Sequence, residues 1–323
     1  MFATCCTAPT VVPGSPIPPT VTPTITPSPT LTTTPTATAS PTQLPTSSPT
    51  PRGPVETTLI ATGDVMLGRM VRTESENHGA YTWPFEQTRD FLTSADITLI
   101  NLENPILDPC PKRRATLIFC APPESVEALT YAGIDVANLA NNHMLDKDIE
   151  GYASTLDALD AAGIQPSDAD HLVIIDRGGV TFGFIGFNRI KQYPDSPMLT
   201  EDDILTRIAE ADRKVDVLVV SMHWGIEFRN LQNAPQIELA HKAIDAGADL
   251  IIGNHPHVVQ GEEMYHGKLI LYALGNFVFD DMSVVRTRKS RVAVLKFSDD
   301  VLVSYDLLPA TIYDYGQPKL DGP

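Results

Sequence analysis

The chain has 323 residues, of which 42% are hydrophobic, and a formal net charge of −17 at pH 7. This length allows one large domain or two small ones, and the apolar content is enough for a sizeable core. So acidic a surface repels phosphate backbones, which argues against nucleic acid as a partner and admits a polyanionic substrate only at a locally cationic or metal-bearing site.

Residues 1–54 differ in composition from the rest of the chain. They hold 14 of the 28 prolines and a single charged side chain, Arg52. Because proline lacks an amide donor and fixes φ, and because the segment has little to bury, we expect no helix or sheet here. We interpret residues 1–54 as a disordered Thr/Pro-rich tether that carries a domain outside the cytoplasm, with an ordinary disordered tail as the alternative.

The first residues leave the location of the protein open. They lack the basic and apolar regions of a signal peptide, so either the chain is cytosolic or its start lies downstream of the true signal. The tether favours the second reading and an extracytoplasmic, cell-envelope location. Lipidation of Cys5 or Cys6 would then anchor the tether to a membrane, although residues 2–4 make a poor lipidation motif.

Cys110 and Cys120 bracket a short polar insertion. In an oxidising compartment two cysteines this close would form a disulfide, whereas in the cytosol they would remain free thiols. The sequence is compatible with both alternatives.

From residue 55 onward, short apolar runs alternate with amphipathic segments. The pattern predicts strands at residues 57–62, 97–102, 136–139, 172–175, 181–187, 215–221, 250–252, 269–273, 292–297 and 302–308. It predicts helices at residues 85–94, 124–132, 149–162, 204–214 and 234–246. Strands that bracket such helices indicate βαβ units, and the last two strands follow each other directly, so the expected class is α/β with mixed sheets. The predicted domain covers residues 55–310, and residues 311–323 are expected to be a C-terminal tail.

Five of the apolar strands run into residues of metal-binding type. These residues are Asp64, Glu103, Asn142, His143, His223, His255 and His257. In open α/β sheets the carboxyl ends of the strands face one crevice, so the side chains should converge there. Carboxylates and imidazoles together suit zinc, manganese or iron. Each residue alone has a simpler explanation, such as a turn, a helix cap or a core histidine, but five such coincidences favour a metal site.

The order Gly-Asp, acidic residue, Asn-His, His and His-x-His resembles that of the calcineurin-like metallophosphatases. The sequence is more closely similar to the bacterial capsule-synthesis proteins of the CapA family, which are associated with poly-γ-glutamate. The motifs that carry this resemblance are GDVMLGR at 63–69, NLE at 101–103, ANNH at 140–143, HWGIE at 223–227, HPHVVQ at 255–260 and LGNF at 274–277.

The resemblance implies a four-layer αββα sandwich and two divalent ions, which would be manganese, iron or zinc. One ion would be held by Glu103, Asn142, His223 and His255, and the other by Asp64, Glu103 and His257. The resemblance also implies catalytic roles for His143, as general acid, and for Asp64. The substrate contacts that we expect are Arg69, Asn141, Trp224 and Glu227.

The sequence departs from the phosphatase pattern at two ligand positions. Met66 stands where phosphatases carry a histidine, and Glu103 replaces the usual bridging aspartate. A thioether is a poor ligand for a hard divalent ion. We therefore expect the Asp64 set to bind its ion less tightly than the other set, and the substitution Met66→His to restore the missing ligand.

Two functions remain open from the sequence. The first is a metal-dependent hydrolase that acts on a phosphoester or on an anionic polymer such as poly-γ-glutamate. The second is a weakly catalytic or non-catalytic accessory protein that works with other proteins in capsule polymer assembly or export.

Overall fold

Two β-sheets organise the structure, a computed structural model that describes residues 53–112, 116–191 and 198–322. The strands are β1 (Glu56–Val65), β2 (Ile97–Leu102), β3 (Val136–Asn138), β4 (Gln165–Ser167), β5 (Val173–Arg177), β6 (Val180–Asn188), β7 (Val217–His223), β8 (Leu250–Asn254), β9 (Glu262–Tyr265), β10 (Lys268–Leu271), β11 (Asn276–Val278), β12 (Lys289–Ser298), β13 (Val301–Tyr313) and β14 (Gln317–Leu320). The α-helices are α1 (Arg69–Asn77), α2 (Arg89–Leu92), α3 (Val126–Tyr131), α4 (Asp148–Ala161), α5 (Glu201–Asp212) and α6 (Ala234–Asp245). Most of the predicted tether, residues 1–52, lies outside the described residues, so its disorder stays a prediction.

Parallel strands lie at the centre of both sheets. The larger sheet has the order β14-β13-β12-β1-β2-β3-β4, and β11 pairs with β1 outside this path. The smaller sheet has the order β5-β6-β7-β8-β10-β9. The strands β1 to β4 are parallel to one another, as are β6, β7, β8 and β10, whereas β5, β9 and β12 to β14 are antiparallel to their neighbours. Both sheets are therefore mixed, as predicted.

Alternate strand residues pack on opposite faces of each sheet. In β1, Leu59 contacts the core between the two sheets, whereas Ile60 faces a second core that includes residues of α1 to α4. In β7, Val219 belongs to the central core, and Val220 packs in a third core with residues of α5 and α6. This arrangement confirms the four-layer αββα sandwich. Because both faces are covered, the parallel strands read as nearly continuous apolar runs.

The helices over the larger sheet differ from the prediction. The predicted helix at residues 85–94 is replaced by a 3₁₀ turn at Trp83–Phe85 and the short helix α2. The helix α1 was not predicted, because only Val71 and Ser75 in it are buried and no apolar stripe marks it. By contrast, α4, α5 and α6 overlap their predicted ranges. None of the helices in the described part of the chain is long and apolar enough to cross a membrane.

Most of the predicted tail at residues 311–323 belongs to the larger sheet, which corrects that boundary. The strands β13 and β14 form an antiparallel hairpin in this region. Ile312 is buried in the core that faces α1 to α4, and the side chain of Gln317 donates a hydrogen bond to the carbonyl of Trp83. The strand β14 was not predicted because it contains Pro318, and proline in a sequence argues against a strand. Proline is tolerated in strands at the edge of a sheet, and β14 is an edge strand.

Cys110 and Cys120 form a disulfide, with their Cα atoms 5.9 Å apart. Of the two alternatives left open by the sequence, the bonded one is confirmed. The bond closes the loop that follows β2, and the carbonyl of Cys110 accepts a hydrogen bond from Arg72 in α1.

Replacing both Cys110 and Cys120 by serine is expected to lower the free energy of unfolding by about 3 kcal/mol, because a crosslink across a loop of this length restricts the unfolded chain by that amount. Urea unfolding without reductant measures the effect. Reductant should destabilise the parent by a similar amount and leave the double variant unchanged. Equal stability of parent and variant would contradict the prediction.

Candidate metal centre

The predicted ligands lie where β1 and β2 of one sheet end beside β7 and β8 of the other. Asp64 is in register with Asn101 on the parallel strands β1 and β2. His223 is in register with Asn254 on the parallel strands β7 and β8. The amide of Asn101 joins the two sheets, because its Nδ2 donates to Asp64 at 2.8 Å and lies 3.4 Å from Nδ1 of His223. The ends of parallel strands thus converge as the sequence predicted.

Gly63 explains the Gly-Asp pair of the first motif. A Cβ atom at Gly63 would lie 1.9 Å from the carbonyl oxygen of Gly275, so only glycine allows this approach. The same carbonyl accepts a hydrogen bond of 2.9 Å from the backbone amide of Asp64. The close contact therefore fixes the backbone that presents Asp64.

Glu103 occupies the middle of the site. It is fully buried, and neither carboxylate oxygen has a hydrogen-bond partner. Its Oε1 lies 3.8 Å from Nε2 of His223, 3.8 Å from Nε2 of His257 and 3.9 Å from Nε2 of His143. Burial, and then the charge of Asp64, raise the pKa of Glu103 well above its usual range. A buried carboxylate without partners is costly unless a cation compensates it, so this residue fits a metal ion.

The buried histidines at the site have opposite protonation behaviour. Burial, followed by the charges of neighbouring imidazoles, lowers the pKa of His223 well below its usual range, and the same causes lower the pKa of His255 to about 3. Although burial opposes it, the charge of Glu103 and the hydrogen bond to Asp64 raise the pKa of His257 to about 10. Neutral rings at His223 and His255 leave a nitrogen lone pair for a metal ion. The cationic ring of His257 compensates the carboxylates in the metal-free protein, a role that a divalent ion can replace.

Two groups of acidic and histidine side chains in the described ranges have donor atoms within 4.8 Å of one another. The first is Asp64, Glu103 and His257, which is one of the two predicted ligand sets. The second is Glu227, His255 and His257, which was not predicted.

The other predicted ligand set, around Glu103, is only partly assembled. Oδ1 of Asn142 lies 2.8 Å from Nε2 of His223, and the rings of His223 and His255 lie 4.9 Å apart. His255 belongs instead to the compact group with Glu227. That the set of Glu103, Asn142, His223 and His255 binds its ion more tightly stays a prediction.

His143 lies beside Glu103 and is oriented by two residues that the sequence did not reveal. Its Nδ1 lies 2.8 Å from Oδ2 of Asp146, which leaves Nε2 turned toward Glu103. Its ring stacks on Phe119, with centroids 3.8 Å apart. Asp146 also accepts a hydrogen bond from the backbone amide of Phe119, so these three residues hold one another. The spacing of three residues between His143 and Asp146 is the only signal that could have found this pair.

Arg69 lines a cavity of about 140 Å³ together with His143, Glu227 and His257. Its guanidinium pairs with both oxygens of Asp280, at 3.0 and 2.5 Å, an interaction that the sequence did not predict. This pairing fixes Arg69 at the cavity wall. A substrate contact for Arg69 and Glu227 therefore has the right location and stays a prediction.

Two of the predicted substrate contacts are buried in the protein. Trp224 is 2% exposed, its indole donates to the carbonyl of Tyr272 at 2.9 Å, and it packs in the core beneath α5 and α6. This placement corrects the prediction for Trp224. Nδ2 of Asn141 donates a hydrogen bond to the carbonyl of Leu102, and its Oδ1 accepts a hydrogen bond from the backbone amide of His143. These two bonds orient the loop that carries His143.

Met66 does not occupy a ligand position. It is fully buried in the core that faces α1 to α4, and its sulfur accepts a hydrogen bond of 3.1 Å from the backbone amide of Gly68. The effect of Met66→His on the weaker ion stays a prediction.

Solved structures share the fold at low sequence identity. A crystal structure described as a novel phosphatase from Mycoplasma pneumoniae aligns with a TM-score of 0.53 and 13% identity over 79% of this chain and 94% of that one. A hypothetical protein from Thermus thermophilus aligns with a TM-score of 0.50 and 18% identity over 78% of this chain and 98% of that one. These likenesses show that the fold is shared and show nothing of the substrate.

Curated relatives are similar over most of the chain. The capsule biosynthesis protein CapA of Bacillus anthracis is 34% identical over 285 residues, which are 81% of this chain and 69% of that protein. The PGA biosynthesis protein CapA of Bacillus subtilis strain 168 is 33% identical over 270 residues, 78% of this chain and 70% of that protein. A probable polyglutamine synthesis accessory protein of Mycobacterium tuberculosis is 30% identical over 289 residues, 78% of this chain and 76% of that protein.

A family model described as bacterial capsule synthesis protein PGA_cap matches residues 58–281. The match runs from β1 to beyond β11 and so includes every candidate ligand from Asp64 to His257. Together with the extended similarity to the CapA proteins, it shows that this chain belongs to the PGA_cap family of bacterial capsule synthesis proteins.

Proposed function

We propose that this protein is a metal-dependent hydrolase of capsule synthesis, which uses two divalent ions to act on a phosphoester or on an anionic polymer such as poly-γ-glutamate. The observation that carries the proposal is the carboxylate of Glu103, buried without partners among three imidazoles. The polymer class is supported by the relatives whose names refer to capsule, PGA and polyglutamine synthesis.

The residues that would hold the ions are those that converge on Glu103. Asp64 and His257 would bind on one side of its carboxylate, and Asn142, His223 and His255 on the other. Mixed carboxylate and imidazole ligands fit manganese, iron or zinc. Bound ions of this kind lower the pKa of a water molecule and stabilise negative charge on a substrate oxygen.

His143 would supply the proton for the leaving oxygen. Oδ2 of Asp146 lies 2.8 Å from Nδ1 of His143, a contact that holds the ring and leaves Nε2 on the opposite edge. That Nε2 atom is turned toward Glu103 and the cavity, where a substrate would lie. The stacked ring of Phe119 keeps water from one face of the imidazole. These contacts support a role as general acid.

An accessory function with little or no catalysis is the second candidate. Met66 contributes no ligand, which leaves three protein ligands in the predicted Asp64 set. The net charge of −17 also opposes the binding of a long polyanion away from the site. Under this alternative the ions would hold polymer carboxylates during assembly or export, together with partner proteins.

A metal analysis joined to a substrate screen tests both functions. After dialysis against metal-free buffer, the protein is expected to retain manganese, iron or zinc by elemental analysis. It is then assayed with bis(4-nitrophenyl) phosphate and with poly-γ-glutamate, and chelated protein serves as the control. Metal-dependent turnover of either compound supports the hydrolase. Retained metal without turnover of either would favour the accessory function, and absence of retained metal would contradict both.

We also propose that the protein works outside the cytoplasm at the cell envelope. The disulfide between Cys110 and Cys120 supports this location, since such bonds persist mainly in oxidising compartments. Lipidation of Cys5 or Cys6, which lie outside the described residues, would anchor it to a membrane. Mass spectrometry of non-reduced peptides from native cells tests the location, and two free thiols at positions 110 and 120 would contradict it.

A further inference from the structure

The segment that follows β7 folds back onto the His-Pro-His segment that follows β8. The backbone amide of Trp224 donates to the carbonyl of Asn254 at 3.1 Å, and that of Phe228 donates to the carbonyl of Pro256 at 2.8 Å. Glu227 lies between these two attachment points. Its carboxylate is thereby held against His255 and His257, within 4.8 Å of a nitrogen of each ring.

The His255 ring presents an unused nitrogen in this group. The residue is 4% exposed, and its Nδ1 atom has no hydrogen-bond partner. A buried imidazole nitrogen without a partner is costly, and a metal ion would satisfy it. This observation points to a cation at the centre, where the proposed function gives His255 to the ion on the other side of Glu103.

The tautomer of His257 follows from its neighbours. Its Nδ1 lies 2.9 Å from Oδ1 of Asn276 and 3.1 Å from Oδ2 of Asp64, and both atoms are hydrogen-bond acceptors. Nδ2 of Asn276 donates to the carbonyl of Thr287, which fixes the orientation of that amide. Nδ1 of His257 therefore carries a proton, and a metal ion can bind only at Nε2, the atom 3.8 Å from Glu103.

The two donor groups can therefore both use His257 only if they share one ion. Asp64 and Glu103 belong to one group and Glu227 to the other, yet a single lone pair on Nε2 serves a single ion. We propose that Glu227 is a metal ligand and not a substrate contact, and that it completes the set of Asp64, Glu103 and His257, to which Met66 contributes no ligand. This inference rests on the metal centre of the proposed function.

The completed set also indicates the kind of ion. It contains three carboxylates, from Asp64, Glu103 and Glu227, and one imidazole, from His257. Oxygen-rich sets of this kind suit manganese better than zinc. Glu227 is the exposed member of the set, so its carboxylate would lie on the solvent side of a bound ion.

Substitution of Glu227 by glutamine tests the inference through metal binding. The variant keeps the size of the side chain and removes its charge. We expect manganese to bind at this half-site at least about 10-fold more weakly than in the parent, since even an outer-shell partner contributes that much. The measurement is titration of chelated protein with Mn²⁺, followed by electron paramagnetic resonance. The control is Glu210→Gln, the same charge change at an exposed position of α5.

The outcomes separate this inference from the proposed function. If the parent binds no metal, the metal centre itself is absent and both fail. If the parent binds metal and Glu227→Gln binds it equally well, only the role of Glu227 is overturned. A raised KM with unchanged manganese affinity would return Glu227 to the role of substrate contact and overturn the inference. Unfolding of the chelated variant at the parent's midpoint would exclude misfolding as the cause of weaker binding.

Discussion

Replacing Glu103 by glutamine is expected to weaken metal binding by more than about 100-fold, because it removes a charged ligand and loss of an outer-shell partner alone reaches that figure. Both oxygens of Glu103 lack partners in the protein, so no other contact is lost with them. Turnover of any substrate should fall with the metal. Elemental analysis after dialysis measures the effect, and retention of the parent's metal content would contradict it.

The same substitution is expected to stabilise the metal-free protein at neutral pH. The folded protein holds the pKa of Glu103 well above its ordinary value of 4.5. A carboxyl group whose pKa is raised by folding binds more protons in the folded state, so the stability of the parent falls as pH rises from about 4.5 through the raised pKa. Glutamine removes this dependence. Unfolding of the chelated proteins across that pH range should therefore show the smaller decline in the variant, and an identical decline in both would contradict this assignment.

Replacing His143 by asparagine is expected to lower kcat by about 10²- to 10⁴-fold, the usual contribution of general acid catalysis. Metal content should stay at the level of the parent, because His143 belongs to neither ligand set. Turnover of a substrate with a very good leaving group should suffer less, since it needs little proton transfer.

The chain offers a matched control for this experiment. Nδ1 of His171 lies 2.9 Å from Oδ1 of Asp168. This pair has the same three-residue spacing as His143 and Asp146, but here the aspartate precedes the histidine. His171 is half-exposed and lies outside the candidate site. His171→Asn should leave kcat unchanged. If His143→Asn also leaves kcat unchanged, the proton for the leaving oxygen has another source.

The convergence of the candidate ligands at the strand ends was predictable because their positions follow from topology alone. Asp64, Glu103, His223 and His255 each come at or just after a parallel strand, and parallel strands of one sheet end at the same edge. No side-chain packing is needed to bring them together. The four-layer class was predictable for a related reason, since runs that are apolar on both faces require cover on both sides.

The residues that orient the site were not predictable in the same way. Phe119 stacks on His143 from a position next to the disulfide cysteine Cys120, and Asp280 reaches Arg69 from more than 200 positions away. Such contacts depend on the assembled core. Trp224 is an example of a residue that the sequence wrongly assigned to the site. Its position beside His223 in a motif suggested substrate binding, whereas its side chain packs in the core.

The two sheets place candidate ligands at the same centre, Asp64 and Glu103 from one and His223 and His255 from the other. An ion bound there would therefore also crosslink the two β-sheets. Binding only to the folded state adds about 2.7 kcal/mol to stability when the free ion is 100 times its dissociation constant. The lifetime of the folded protein would then depend on the concentration of that ion in its surroundings, whether or not the ion takes part in chemistry.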